Sequence, residues 1–159
     1  MSNQLDHEKL DVYQLELQFV AWSTELMAEL LVSLEAKARR VTETCDHLER
    51  AALSALFNTA EGNGKRQMKT RAKFFDDARG SATECAACLD ALVAKGACDR
   101  PRVEHGKSLL FRVVSMLSKL VDRFSPSSQV CEGEFTYKVE DEDDDEDEND
   151  RKRCTGRTP

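Results

Sequence analysis

Four stretches of this chain place apolar residues at every third or fourth position, and few helix-breaking residues interrupt them. The clearest is Phe75, Ala78, Ala82, Cys85, Leu89 and Leu92, an unbroken alternation of three- and four-residue steps. That spacing stacks side chains along one face of an α-helix, and a strand of period two cannot reproduce it. The row predicts a helix from near Met68 to about Lys95. Val12, Leu15, Phe19, Trp22, Leu26, Leu30 and Leu34 predict an earlier helix from about Leu5 to about Leu34. At a rise of ~1.5 Å per residue, it is roughly 40 Å long. A neighbouring row, Tyr13, Leu17, Val20, Met27 and Leu31, widens its apolar face towards a second helix or another subunit.

The other two helices follow the same logic. Leu48, Ala51, Ala52, Ala55, Leu56, Phe57 and Ala60 mark a helix from about Cys45 to about Glu61, with Thr42 or Thr44 as its cap and Glu35–Glu43 as connection. Its small residues suit an interior or interface helix. Gly62-Asn63-Gly64 is expected to stop it in the left-handed conformation. Gly80, inside the third helix, costs ~1 kcal/mol relative to alanine, which a close helix crossing would explain. Gly96 closes that helix, and Asp99 with Pro101 opens the fourth. Val103, Leu110, Val113, Leu117, Leu120 and Phe124 carry its stripe as far as Ser125-Pro126.

The expected fold class is therefore all-α, a single four-helix bundle over residues 1–126, with a C-terminal tail over 127–159. A chain of 159 residues supports one such domain. The charge is unevenly placed. Residues 139–159 hold ten acids and four bases, while residues 1–138 hold 20 acids and 19 bases, so six of the seven net negative charges belong to the tail. Within it, Glu140–Asp150 repels itself and has no apolar surface to bury, so disorder is expected from about residue 139. The polar start MSNQLDHEKL is no signal peptide, and no apolar run approaches the ~20 residues that span a bilayer. A cytoplasmic protein with six reduced cysteines and no membrane partner is the expectation.

With the helices placed, Leu10-Asp11-Val12-Tyr13-Gln14, Phe57 to Lys65 (FNTAEGNGK) and Phe74 to Ser81 (FFDDARGS) resemble the bacterial four helix bundle protein family, also called 23S rRNA intervening-sequence proteins. The resemblance spans roughly residues 5–124. Its most specific part is Asn-x-Ala-Glu-Gly-x-Gly, then a basic stretch, then Arg-Gly-Ser. Where the family usually has Ile-Pro-Leu-Asn-Ile, this chain reads Ala55-Leu56-Phe57-Asn58-Thr59, and the missing proline predicts an uninterrupted second helix. The resemblance implies an antiparallel up-down protomer and a ring-like homopentamer. A related protein, the accessory variability determinant of diversity-generating retroelements, is a basic barrel that engages nucleic acid and a reverse transcriptase. Most members have no established activity.

Two groups of residues are candidates for function. The signature residues Asn58, Glu61, Gly62, Gly64, Arg79, Gly80, Ser81 and Glu84 suit a structural role, with Glu61 and Arg79 able to meet across the turn as a charge-assisted pair. A ligand pocket is the alternative. Lys65, Arg66, Lys69, Arg71 and Lys73 form a basic turn and helix start, a candidate contact for nucleic acid or a nucleic-acid enzyme. An ordinary solvated helix face is the alternative, since the body of the chain is not basic. Cys85 and Cys88 share a helix face but lack two further ligands at metal spacing, and His7, His47 and His105 are scattered. No phosphate loop or nucleophile elbow is present, so the expectation is a non-enzymatic, cofactor-free, metal-free oligomer. The acidic tail is a candidate internal competitor for the basic stretch, or an inert solubilising segment.

Overall fold

The computed structural model describes residues 4–33 and 38–125, and among them every regular element is helical. The predicted helix end at Leu34, the tail from residue 127, Cys131 and Cys154 lie outside the described residues.

Helix α1 spans Asp11–Ser33 and is preceded by a short 3-10 turn, Asp6–Lys9. The two are separated because Leu10 is extended (φ −77, ψ 124), so α1 starts one and a half turns later than its apolar row suggested. Helix α2 covers Ala38–Gly64, which corrects both predicted ends. Its first turns contain Ala, Arg and Glu, all good helix formers, and Thr42 and Thr44 lie within the helix rather than capping it. At the other end Gly62 and Gly64 keep helical geometry; among the described residues the only glycine with positive φ is Gly96. As the missing proline suggested, α2 is uninterrupted.

Helix α3, Met68–Ala94, ends where Gly96 takes φ 67. There the Ala97 amide donates to Leu92 O at 3.0 Å and the Gly96 amide to Val93 O at 2.9 Å, the paired bonds of a Schellman end. Helix α4, Arg100–Phe124, opens with the Asp99 carboxylate accepting from the Arg102 amide at 3.2 Å and with proline in its first turn.

Contacts run α1–α2, α2–α3, α3–α4 and α4–α1, so the four helices close a square. Partners on neighbouring helices run in opposite directions. Along the α2–α3 seam, Thr44 meets Lys95, Ser54 meets Ser81, and Gly62 lies against Phe75. Across α1 and α4, Glu29 meets Arg102, while Val12 shares a groove with Leu120. The architecture is an antiparallel up-down bundle.

The core is a single cluster. Leu26, Leu48, Leu89, Leu92, Val113 and Leu117 are fully enclosed, each contributing about 1.5–3 kcal/mol of apolar burial. Ala51, Ala52, Ala55, Ala78 and Ala82 line the inside of α2 and α3 and let these two helices approach. The stripe Phe75–Leu92 is buried at every predicted position. Phe57 departs from expectation: it lies opposite the buried face of α2 and is 62% exposed. Leu17 and Leu31 of the second α1 row are exposed as well.

Gly80 is also exposed, and an added Cβ there would meet nothing within 4 Å among the described residues, so no close crossing between the described helices accounts for it. The glycines that do permit close contact are elsewhere. A Cβ on Gly62 would lie 3.0 Å from Phe74 Cβ, and one on Gly106 would lie 2.0 Å from the Trp22 ring. Gly106 is therefore the notch in α4 that receives Trp22 of α1.

Candidate nucleic-acid interface

The α2–α3 connection is only three residues long, so its charged side chains are held close to the helix ends that they leave. Two of the five basic candidates are engaged by the fold. Lys65 pairs with Glu61 one turn back, at 2.7 Å, and its ammonium sits 4.8 Å from the Phe74 ring centroid. Arg71 is half-buried; its Nη2 donates to Asn63 O at 2.8 Å, and its guanidinium lies 5.0 Å from the Phe124 ring centroid. It satisfies a carbonyl at the end of α2 and stacks on the end of α4, tying three helices together. Its Nε is buried without a hydrogen-bond partner among the described residues.

The remaining three, Arg66, Lys69 and Lys73, are exposed and have no ion-pair partner among the described residues. Lys69 and Lys73 are one turn apart on the same face of α3, with Arg66 just before it. These three are free to meet an external anion; Lys65 and Arg71 are committed to the turn.

The polar signature is distributed along the α2–α3 seam. Asn58 Nδ2 donates to Ser54 Oγ at 3.2 Å, Ser54 and Ser81 hydroxyls are 3.0 Å apart, and Ser81 Oγ donates to Asp77 O at 3.0 Å. Further along, Glu84 pairs with His47 Nε2, while Arg50 Nη2 lies 3.3 Å from His47 Nδ1. Arginine can only donate, so Nδ1 accepts and Nε2 carries the proton given to Glu84. The suggested Glu61–Arg79 pair is not formed: Glu61 holds Lys65, and Arg79 holds Asp76 at 2.6 Å on its own helix. Helical intervals of three or four residues supplied nearer partners than the opposite helix did. Gly62 is buried at the crossing, while Gly64 is exposed with open space around it.

A buried polar pair escaped the sequence reading. Glu16 is 3% exposed and Thr59 is fully enclosed, and Thr59 Oγ1 donates to Glu16 Oε1 at 2.8 Å across α1 and α2. Glu16 Oε2 has no partner among the described residues. Burial raises the Glu16 pKa to about 8, against a smaller opposing effect from the Thr59 bond. Part of the signal was present: Val12, Glu16, Phe19, Ser23, Leu26 and Leu30 form a 4-3-4-3-4 stripe that contains Glu16, while its partner Thr59 lies on α2. Cys85, also in this interior, has its thiol pushed up to about 12 by burial first and by the nearby Cys88 second. Among the described residues, no group of His, Cys, Asp and Glu converges as a metal site, and no helix is long and apolar enough to cross a membrane.

Fold and site together define an all-α, four-helix-bundle protein whose tight α2–α3 turn carries a basic edge. Residues 8–119 match the family model described as 23S rRNA-intervening sequence protein, and the chain belongs to that family. Neither a curated protein nor a solved structure matches the chain.

Proposed function

We propose that this chain is a non-enzymatic, cytoplasmic binding or scaffold protein that assembles with itself and engages nucleic acid through Arg66, Lys69 and Lys73. The observation that carries this reading is the division of labour in the basic stretch: two cations hold the turn, and three stand exposed without an ion-pair partner among the described residues. Phosphate backbones are recognised by such uncommitted cations, and their binding releases counterions. A nucleic-acid enzyme would be a fitting additional partner of the same surface. The signature residues Asn58, Ser81 and Glu84 then serve the register of the α2–α3 pair.

The test is fluorescence anisotropy of the full chain with a labelled oligonucleotide over a salt series. Three phosphate contacts give a slope of log affinity against log salt of about −2 to −3. Lys69→Glu with Lys73→Glu abolishes the binding while helicity is retained. Absent binding, or binding indifferent to salt, refutes the reading.

A specific observation favours a second reading, a structural or protein-interaction oligomer without nucleic acid. Phe57 and Phe111 are 62% and 75% exposed on α2 and α4, two helices diagonal in the square. Large apolar side chains on opposite outer faces suit contacts between copies. The ring-like homopentamer of the family resemblance is the assembly proposed, and self-association accompanies either reading.

A further inference from the structure

At one end of the bundle, the start of α1 and the last turns of α4 leave a groove of about 440 Å³. Leu10, Val12, Met116 and Leu120 give it apolar surface. Lys9, Lys119 and Arg123 add three cations against one acid, Asp11. Lys9 shares its charge with Asp6 at 2.9 Å, which leaves Lys119 and Arg123 as the positive groups with no ion-pair partner among the described residues. Arg123 lies 5.6 Å from the Phe124 ring centroid, at the end of α4 from which the chain leaves.

We infer that this groove docks the chain's own C-terminal segment, with Val130, Phe135 and Tyr137 on its floor and the acidic run that follows against Lys119 and Arg123. Three features of the molecule select this occupant. The helix ends at Phe124, and Ser125 is already extended (φ −76, ψ 135), so the following segment starts within about three turns of Met116 and two of Leu120. The segment is long enough: 34 residues follow Ser125, and each extended residue reaches ~3.3 Å. Its chemistry also matches in order. Apolar residues come first, at 130–137, and ten acids follow in 140–150, opposite a groove with an apolar floor and a cationic rim. Covalent attachment keeps the segment at high effective concentration, so even a weak site is occupied. The electrostatic part is exposed and weakens with salt.

The experiment replaces Met116 with p-benzoylphenylalanine in the full chain, with Phe111, exposed on another face of the same helix, as the control position. After illumination at low salt, peptide mass spectrometry locates the cross-link. The expected product has the mass of one chain, joins position 116 to residues 127–150, and exceeds the tail product from position 111 about fivefold. Raising salt lowers the yield, and so does Lys119→Glu with Arg123→Glu; circular dichroism checks that the helices persist. Should the charge reversals unfold the bundle, the salt series on the otherwise unchanged chain decides. A product with the mass of two chains assigns the groove to a second copy and overturns the inference. Equal yields from positions 111 and 116, or no tail product at all, overturn it too.

Discussion

Glu16 is the residue whose state depends most on the fold. Its carboxyl lies between α1 and α2 with Thr59 as its only hydrogen-bond partner among the described residues. Its folded pKa of about 8 stands above the ordinary 4.5, so the folded state holds a proton that the unfolded state has released over that interval. Stability from this group is therefore complete below the unfolded value, declines as pH rises towards the folded value, and levels off above about 8. Glu16→Gln keeps the shape and the acceptor and removes the titration. Its stability advantage over the parent should grow between about pH 5 and 8, reaching a few kcal/mol, in urea unfolding at several pH values. A pH-independent difference would mean that Glu16 is not buried as described. Gly106 makes a second single-residue prediction. Gly106→Ala should destabilise by about 1–3 kcal/mol through its clash with Trp22, and Trp22→Leu in the same chain should recover part of that loss. The stripe marked the position of Glu16 but not its partner, and Gly106 was not legible at all, because a glycine inside a helix reads as noise until its neighbour is known. Gly80 taught the reverse: its presence suggested a crossing, yet its surroundings are open.

At the scale of the helices, the sequence was most legible where burial alone decides. The α3 stripe, the Asp99 and Pro101 start and the Gly96 end all follow from local chemistry, and all stand in the structure. Ends decided by competition between weak propensities were not legible. Before Cys45 the beginning of α2 offers only Val41 to the core, and the helix-forming polar residues around it resemble a connection. The two glycines after Glu61 looked like a stop, whereas Gly62 is the position at which α2 lets Phe74 and Phe75 come close. Ala55→Leu and Ala82→Leu probe the same proximity further along the seam. Both alanines are buried, so each substitution should lower stability by about 1–3 kcal/mol in thermal melts, and unchanged melts would contradict the packing of α2 on α3. Gly96→Ala should cost about 1 kcal/mol, since only glycine adopts φ 67 without strain.

For the whole molecule, legibility ended at the protomer, because contacts between copies depend on which apolar side chains the fold leaves outside. Phe57 sat in a row predicted to be buried, and only the closing of the square shows that it points outwards. Its diagonal relation to Phe111 makes the proposed self-assembly specific enough to test. If one face of each copy meets the opposite face of the next, the interface is head-to-tail, and such interfaces generate rings when the rotation closes. Phe57→Lys then spoils one face and leaves the other intact, while Phe111→Lys does the converse. Each variant alone should run near the 17.9 kDa of one chain in light scattering, with unchanged helicity, because both side chains lie outside the core. Mixed together, the intact face of one variant can still meet the intact face of the other, once only. The mixture should therefore form a two-chain species and nothing larger, whereas the parent chain should form a larger closed assembly. A self-complementary, two-fold interface behaves differently: it uses one face only, so one variant would lose it, the other would keep the parent's assembly, and mixing would restore nothing. A parent chain that already runs as one copy at micromolar concentration would end the proposal of self-assembly.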